Sequence, residues 1–176
     1  MEIQILNWLQ SLHTPILDKI MQLITHLGDM GIIWIILTIV MLLIPKTRKS
    51  SVIMAAALIV DVLLCNVLLK NLVGRIRPFD VNPWIQLLIP EPKDFSFPSG
   101  HTAASFASVA ALYLAGEKKM WKPALVLAIL IAFSRMYLYV HYPTDILGGI
   151  IFGSLSAWIG YRISTKVLLY AMMKKE

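Results

Sequence analysis

Long apolar stretches separated by short polar segments dominate the chain and predict a bundle of membrane helices. The apolar stretches cover residues 15–27, 30–44, 51–73, 99–115, 123–139 and 144–172. A short amphipathic segment at 3–12 precedes them. A spanning helix needs about 20 apolar residues, fewer when it packs inside a bundle. We predict an all-α, polytopic membrane helix bundle with about six transmembrane helices; whether the stretch at 15–27 spans fully is left open.

The composition supports this prediction. Of the 176 residues, 58% are hydrophobic and only 15% are charged. A soluble core has no use for that much apolar surface, so we expect one integral membrane domain over residues 1–176. The net charge of +6 suits anionic lipid headgroups, but basic residues also set topology, so the sum alone decides nothing.

The positions of the basic residues predict an orientation. Lysines and arginines cluster in the loop at 46–49, in the loop at 118–122 and at Lys174 and Lys175. With six spans these segments share one side, which the positive-inside rule makes cytoplasmic. Three polar islands then lie together on the opposite, extracytoplasmic side, at the outer ends of the third to sixth helices.

The first polar island, residues 70–78, contains Arg75 and combines Lys70 with Arg77, which precedes Pro78. Asn66 and Lys70 are four residues apart, so they share a helix face that must look into the bundle. Arginine offers a planar fork to phosphate oxygens and lysine acts as a point charge, so the pair is a candidate phosphate clamp. The alternative is that Lys70 snorkels to the interface.

The second island, Pro98–Ser99–Gly100–His101, directly precedes a helical run. Proline and serine suit a helix start, and glycine lets the backbone approach a ligand. Free amides and the helix dipole at such a start attract anions. The alternative is a capping turn with an incidental histidine.

The third island contains Arg135, His141 and Asp145. The histidine and the aspartate are four residues apart, so the carboxylate can fix the tautomer of the imidazole. A neutral histidine nitrogen is a competent nucleophile towards phosphorus. The two histidines of the islands leave open which one attacks, and the nearby Asp145 favours His141. The alternative is a structural pair that pins a loop.

A metal site is the competing chemical interpretation. Two histidines and Asp145 are possible zinc ligands. The surrounding lysine and arginines would repel a cation, and they supply the positive charge that a metal would otherwise bring. We therefore expect no metal and no cofactor.

The three motifs, Lys-x6-Arg-Pro, Pro-Ser-Gly-His and Ser-Arg-x5-His-x3-Asp, occur in this order between residues 70 and 145. Together they resemble the signature of the type 2 phosphatidic acid phosphatase superfamily. The resemblance implies a six-helix membrane enzyme with its site at the outer face. It implies that His141 attacks phosphorus to form a phosphohistidine, that Asp145 orients it, and that His101 protonates the leaving oxygen. It implies phosphoryl contacts from Lys70, Arg77, Ser99, Gly100 and Arg135.

The expected substrate is a lipid phosphate. The compact chain resembles small bacterial members of the superfamily, many of which recycle the polyprenyl carrier of wall synthesis, so undecaprenyl diphosphate is favoured. Phosphatidylglycerophosphate and phosphatidate are the alternatives. A non-catalytic protein that binds or translocates lipid phosphates is a remote alternative, because a decayed enzyme would be expected to have lost a histidine or Asp145. We expect no nucleic-acid partner, and the oligomeric state stays open.

Three further features leave open questions. The apolar loop at 81–90 either guides a lipid tail, with Trp84 at headgroup depth, or folds over the bundle. Tyr139 stands where many relatives have a small residue, which puts the shape of the pocket in doubt. Asp61 lies mid-span, where it either pairs with a neighbour such as Arg162 or is protonated.

Overall fold

The computed structural model describes residues 1–174, which are helical with connecting loops. The α-helices of this part of the chain are α1 Glu2–Gln10, α2 Pro15–Leu27, α3 Ile32–Leu43, α4 Arg48–Asp61, α5 Lys70–Val73, α6 Pro78–Val81, α7 Gly100–Leu114, α8 Trp121–Tyr137 and α9 Pro143–Met173. The predicted helices are confirmed to within three residues at each end, and α6 is an additional short helix. Lys175, counted with the basic tail, lies outside the described residues.

Helices α2 and α3 follow one another across a bend of 43°. The bend contains the 3₁₀ turn Asp29–Gly31, in which Met30 (φ 51°) and Gly31 (φ 68°) have positive φ angles. α2 packs along α8, and α3 packs against α4 and α7. The two helices form a bent pair, which is either a broken span or a re-entrant loop, so the prediction of separate spans at 15–27 and 30–44 is not confirmed. Hydropathy does not report the angle of the turn.

Helix α4 continues into α5 through a π-helical segment, Val62–Leu69. The predicted stretch at 51–73 is therefore one long helix with looser winding in its second half. π-helical turns are rare and occur frequently at functional sites. Asp61 and Lys70, which flank this segment, line the same cavity.

By length and composition, two helical stretches in the described part of the chain are able to cross a membrane: Arg48–Val81 and Pro143–Leu168. The bent pair, Pro15–Leu27 with Asp29–Leu43, makes a third if it counts as one span. α7 and α8 have 15 and 17 residues, which is short of the about 20 that a bilayer core requires. The chain is thus a membrane-type helix bundle, and the count of six spans is not confirmed.

Close packing of α7 against α9 fixes the two helices that carry the second and third polar islands. A β-carbon added to Gly153 would lie 2.2 Å from the carbonyl oxygen of Ala103. The backbones therefore approach more closely than any side chain at that position would allow. The backbone amide of Ser99 donates to the carbonyl of Asp145 (3.1 Å), which joins the starts of the two helices.

One end of the bundle carries the basic loops, and the other end carries an apolar cluster and the polar islands. The Ser50 hydroxyl donates to Glu117 (2.6 Å), which joins the basic loops at 46–49 and 118–122 at one end. At the other end, an apolar cluster that is separate from the main core of the bundle surrounds the α8–α9 connection; it is called the second apolar cluster below. Its fully or nearly fully buried members include Leu6, Leu9, Tyr137, Leu138, Tyr139 and Val140. All three polar islands lie at this second end.

The loop that follows α6 folds over the bundle. Ile85, Leu87, Leu88 and Ile89 pack against the second apolar cluster. Trp84 instead projects outward and is 90% exposed. The structure therefore supports the folded-loop interpretation for the aliphatic residues and leaves the indole free on the surface.

Candidate active site

The three polar islands converge on one cavity of about 700 Å³ at the end of the bundle that carries the second apolar cluster. Six of the eight predicted site residues line it: Lys70, Arg77, Gly100, His101, Arg135 and His141. Ser99 and Asp145 are fully buried behind the wall of the cavity.

Arg77 is the link between the first and third islands. It caps α6, and its side chain is 3% exposed. Its Nη1 donates to the carbonyl oxygen of Val140 (2.7 Å) and lies 3.3 Å from Nε2 of His141. One nitrogen of the guanidinium thus borders the histidine that the sequence favours as the nucleophile.

Lys70 reaches into the cavity from the start of α5. Its side chain is 8% exposed, and its amine pairs with Asp94. Snorkelling to the interface is therefore not the role of Lys70 in this structure.

Asp94, which sequence reasoning missed, bridges the two cations. One carboxylate oxygen contacts Lys70, and the other accepts from Nη2 of Arg77 at 2.6 Å. Arg77 Nε also donates to the Asp94 carbonyl oxygen (2.7 Å). Burial would raise the pKa of the carboxyl, but the hydrogen bonds and charges of Lys70 and Arg77 outweigh it and lower this pKa to about 2.

His141 and Asp145 form the predicted pair at the start of α9. The Nδ1 of His141 lies 3.4 Å from the Oδ2 of Asp145, while Nε2 points towards Arg77. The same carboxylate oxygen accepts from the Ser96 hydroxyl and from the Tyr142 amide (2.9 Å). Burial, followed by the positive charge of Arg77, holds the pKa of the His141 imidazole well below its usual range. The imidazole is therefore neutral at neutral pH, as a nucleophile requires.

Arg75 is a second residue that sequence reasoning left without a role. Its Nη1 donates to Oδ1 of Asp145 (2.6 Å) and its Nη2 donates to Glu2 (2.6 Å). The guanidinium also stacks on the Tyr142 ring, 3.9 Å from the centroid. The two arginines two residues apart in the first island were the available signal, since only one of them was assigned to phosphate.

The second island forms the start of α7 as predicted. The Ser99 hydroxyl accepts from the amide and the hydroxyl of Thr102 (3.4 and 3.0 Å), so it caps the helix. Ser99 is fully buried and is not among the residues that line the cavity, and its phosphoryl contact stays a prediction. A β-carbon on Gly100 would lie 2.7 Å from the Asn66 amide oxygen, so any other residue there would require the Asn66 side chain to move.

His101 has a carboxylate partner that the sequence did not reveal. Its Nε2 lies 3.0 Å from Oδ1 of Asp29, in the turn between α2 and α3. The other oxygen of Asp29 lies 2.8 Å from Nδ1 of His26. His101, the predicted acid, is thus held by Asp29, which lies 72 residues away along the chain in the turn between two helices.

Arg135 comes from the last turn of α8 and is 3% exposed. Its Nη1 donates to the Thr25 hydroxyl (2.5 Å). Its Nε is buried and has no hydrogen-bond partner among the residues that the structure describes. Arg135 lines the cavity and has one hydrogen-bond donor that no described residue uses.

Tyr139 and Asp61 answer two of the open questions. Tyr139 has a φ of 61° and is fully buried, and its hydroxyl donates to Asn7 (2.7 Å). It is absent from the cavity wall, so it holds α1 in place and does not shape the pocket.

Asp61 is fully buried without a partner in the described residues. Arg162 lies over the Trp158 ring and does not pair with Asp61.

Within residues 1–174, no three histidine, cysteine, aspartate or glutamate side chains come close enough together to hold a metal ion. The positively charged residues of the cavity wall include Lys70, Arg77 and Arg135. Its acidic residues include Asp29, Asp61 and Asp94. The arrangement is suited to a phosphate-sized anion beside a neutral imidazole.

Two similar known proteins are named as undecaprenyl-diphosphatases. An undecaprenyl-diphosphatase of Sulfolobus acidocaldarius is 33% identical over 76% of this chain and 64% of its own length. Undecaprenyl-diphosphatase BcrC of Bacillus subtilis is 32% identical over 86% of this chain and 77% of its own. The chain thus spans slightly less than two thirds of the archaeal relative.

Solved structures show the same fold. A transmembrane PAP2-type phosphatidylglycerolphosphate phosphatase from Bacillus subtilis superposes with a TM-score of 0.72 and 31% identity, covering 94% of this chain and 85% of that one. Aquifex aeolicus LpxE superposes with a TM-score of 0.79, covering 92% and 94%; its identity of 24% supports the fold alone. The model of the PAP2 superfamily matches residues 50–168, which include all three polar islands. This chain belongs to the PAP2 superfamily.

Proposed function

We propose that the protein is a metal-independent membrane phosphatase that hydrolyses a lipid diphosphate, with undecaprenyl diphosphate as the favoured substrate. Two relatives that match this chain over 76% and 86% of its length are named as undecaprenyl-diphosphatases. The residues that line the cavity include two histidines and three cations, which are the residue types that this reaction needs.

The observation that carries the proposal is the mixed lining of the cavity. Lys70, Arg77 and Arg135 line it together with His141. The lining also includes the apolar residues Met30, Ile35 and Val62, which are 94%, 46% and 49% exposed. A ligand that contacts both sets of residues has a phosphate head and an apolar body, as a lipid phosphate does.

The first chemical step forms a phosphohistidine. Nε2 of His141 attacks phosphorus, and the bond from phosphorus to the leaving oxygen breaks as the phosphorus–nitrogen bond forms. His101 gives its proton to the leaving oxygen, and Asp145 supports the positive imidazole that results. Phosphoryl transfer leaves the protein mainly positioning and charge stabilisation, which the three cations supply at the phosphoryl oxygens.

The second step regenerates the enzyme. The imidazole of His101, now neutral, takes a proton from water, and the resulting hydroxide equivalent attacks phosphorus. The phosphorus–nitrogen bond breaks, which releases inorganic phosphate and neutral His141. Asp29, which lies 3.0 Å from His101, stabilises the protonated form of this histidine before the first step and after the second.

The membrane arrangement is part of the proposal. The basic loops lie at the end opposite the cavity, and the positive-inside rule makes that end cytoplasmic. The site then opens at the extracytoplasmic face of a multi-pass protein. Reactivity of a cysteine placed at Trp84 towards an impermeant thiol reagent in intact cells tests this orientation, after Cys65 has been replaced.

Phosphatidylglycerophosphate is the second candidate substrate. The structural neighbour from Bacillus subtilis that superposes over 94% of this chain is a phosphatidylglycerolphosphate phosphatase. A phosphate monoester on a two-chain lipid would use the same cations and the same nucleophile, so the cavity alone does not separate the two.

Phosphate release by purified protein in detergent with EDTA, compared for undecaprenyl diphosphate, phosphatidylglycerophosphate and phosphatidate, decides between them. A hundredfold preference in kcat/KM, equal to about 2.7 kcal/mol of transition-state binding, for the polyprenyl substrate is the expected result. The reverse preference assigns a glycerophospholipid. Loss of activity with EDTA that added zinc or magnesium restores would overturn the metal-independent mechanism.

His141→Ala is the control that separates an enzyme from a binding protein. Turnover is expected to disappear, while binding of the lipid persists through the three cations. A variant that still releases phosphate at the wild-type rate would exclude His141 as the nucleophile. Absence of release from every lipid by the wild type would favour a binding or translocating protein.

A further inference from the structure

We propose that Asp94 is an internal anion that exchanges with phosphate: its carboxylate occupies Lys70 and Arg77 between turnovers and returns to displace the inorganic phosphate product. The inference rests on the proposed function only in taking Lys70 and Arg77 as the phosphate-binding pair. It assigns a role to a carboxylate that lies in none of the three motifs.

The contacts of Asp94 are those that a phosphate would make. One oxygen contacts the amine of Lys70 and the other lies 2.6 Å from Nη2 of Arg77. Arginine binds carboxylate and phosphate through the same planar fork. The neighbouring nitrogen of this guanidinium, Nη1, lies 3.3 Å from Nε2 of His141. A phosphoryl group in the place of the carboxylate would therefore sit beside the nucleophile.

The burial of the three side chains shows which of them is able to leave. The side chains of Lys70 and Arg77 are 8% and 3% exposed, whereas that of Asp94 is 53% exposed. The two buried cations require a counter-ion when no substrate is bound, because an unpaired buried charge is costly. The carboxylate supplies that charge from the water side and leaves without crossing the packed interior.

The backbone around Asp94 provides an anchor that does not depend on the carboxylate. Arg77 Nε donates to the carbonyl oxygen of Asp94 (2.7 Å), and Nη2 also lies 3.4 Å from the carbonyl oxygen of Phe95. The side chain therefore rotates away while the loop stays attached. The departed carboxylate remains close to the site and competes for the cations as soon as the phosphate product forms.

This exchange affects affinity for phosphate in a defined direction. A ligand that must displace a group bound in nine molecules out of ten binds about tenfold more weakly than it would to the open site. Removing the carboxylate therefore tightens binding of phosphate. A scaffold that merely aligned the two cations would act in the opposite direction, because its loss would weaken phosphate binding.

The test is the dissociation constant of inorganic phosphate, measured by calorimetry on the purified protein in detergent. Asp94→Asn is expected to lower this constant about tenfold, and Asp94→Glu, which keeps the charge, to stay within about threefold of the wild type. Glu91→Gln is the matched control: it removes one negative charge from the same exposed loop, lies outside the main cavity, and should leave the constant unchanged. Asp94→Ser is the second neutral variant if the amide variant does not fold.

Kinetics give an independent readout of the same exchange. With the best lipid substrate, Asp94→Asn should show a lower inhibition constant for phosphate and a lower kcat, because product release becomes slower. Weaker phosphate binding in both neutral variants, or equal effects of Glu91→Gln, would overturn the proposal. Phosphate binding that tightens as expected in a protein that hydrolyses no lipid would leave the exchange standing and refute the proposed function alone.

Discussion

Nη1 of Arg75 lies 2.6 Å from Oδ1 of Asp145, and the opposite nitrogen of the same guanidinium lies 2.6 Å from Glu2. Glu2 in turn accepts from the amide and the hydroxyl of Thr144 (3.1 and 2.7 Å). The first helix of the chain is thereby connected to the carboxylate that lies 3.4 Å from His141. Asp145, the partner of His141, is thus contacted by Arg75, which precedes it by 70 positions.

Arg75→Gln should lower kcat by about 10- to 100-fold with little change in KM. A hydrogen bond to a charged group contributes about 1.5–3 kcal/mol, and Arg75 lies outside the wall of the cavity, so the loss falls on the orientation of His141. Steady-state kinetics with the lipid diphosphate measure both constants. Glu2→Gln leaves the Arg75–Asp145 pair in place and should remain within about threefold of the wild type. A rise in KM as large as the fall in kcat would place Arg75 in substrate binding.

Asp29→Asn should impair hydrolysis of phosphatidate more than hydrolysis of a lipid diphosphate. In the proposed mechanism His101 delivers a proton to the leaving oxygen, and an alkoxide needs that proton more than a phosphate group does. We expect kcat/KM to fall about tenfold for phosphatidate and about threefold or less for the diphosphate. Asp80→Asn, which removes an exposed carboxylate without a contact to either histidine, is the control. Equal losses on both substrates would show that Asp29 does not act through the acid.

Formation of the phosphoenzyme should stay fast at pH values below 6.5. The pKa of His141 lies well below its usual range, so the imidazole keeps its free electron pair as the pH falls through the value for an exposed histidine, about 6.5. Only below the lowered pKa is the nucleophile protonated. Rapid-quench labelling with a radioactive lipid diphosphate between pH 5 and pH 8 measures this rate. Half-loss of the labelling rate near pH 6.5 would contradict a neutral, buried nucleophile.

Tyr139→Phe should reduce stability and leave KM unchanged. The hydroxyl donates to Asn7 (2.7 Å) and accepts from Asn82 (3.2 Å), so its removal costs about 1 kcal/mol, as the loss of a hydrogen bond does. Thermal unfolding in detergent and lipid kinetics measure the two effects. The pair of results discriminates between an anchor for α1 and a wall of the pocket. A change in substrate preference would return Tyr139 to the pocket.

The sequence contained most of the site because its three motifs lie at helix ends. Lys70, Arg77, His101, Arg135 and His141 line one cavity as predicted. The three missed partners, Arg75, Asp94 and Asp29, act through contacts to residues 70, 24 and 72 positions away. Such contacts depend on how the loops pack, which no local spacing reports. The hydroxyl of Ser99 caps α7, and the assignment of this residue to phosphate by its motif stays a prediction.

The fold was predictable in its elements and less so in its path. Apolar stretches predicted the positions of the helices because each helix must bury or present an apolar surface to lipid. The number of spans was not predictable in the same way, because the turn at Asp29–Gly31 bends the chain by 43° without reversing it. The positive φ of Tyr139 was also invisible, since its aromatic side chain gives no sign of a left-handed backbone.

Across the π-helical segment between Asp61 and Lys70, the α-helical rule no longer gives the angle between two side chains from the number of residues that separate them. In a uniformly wound α-helix, residues nine positions apart point about 180° away from each other, so one of this pair would face lipid. The looser turns take up the surplus rotation, and both residues face the same cavity. A helical wheel drawn across this span therefore assigns the wrong residues to the interior. An alignment with a relative whose helix is regularly wound needs a one-residue gap within 62–69. Without this gap, each residue before the segment is matched to the position next to its true equivalent.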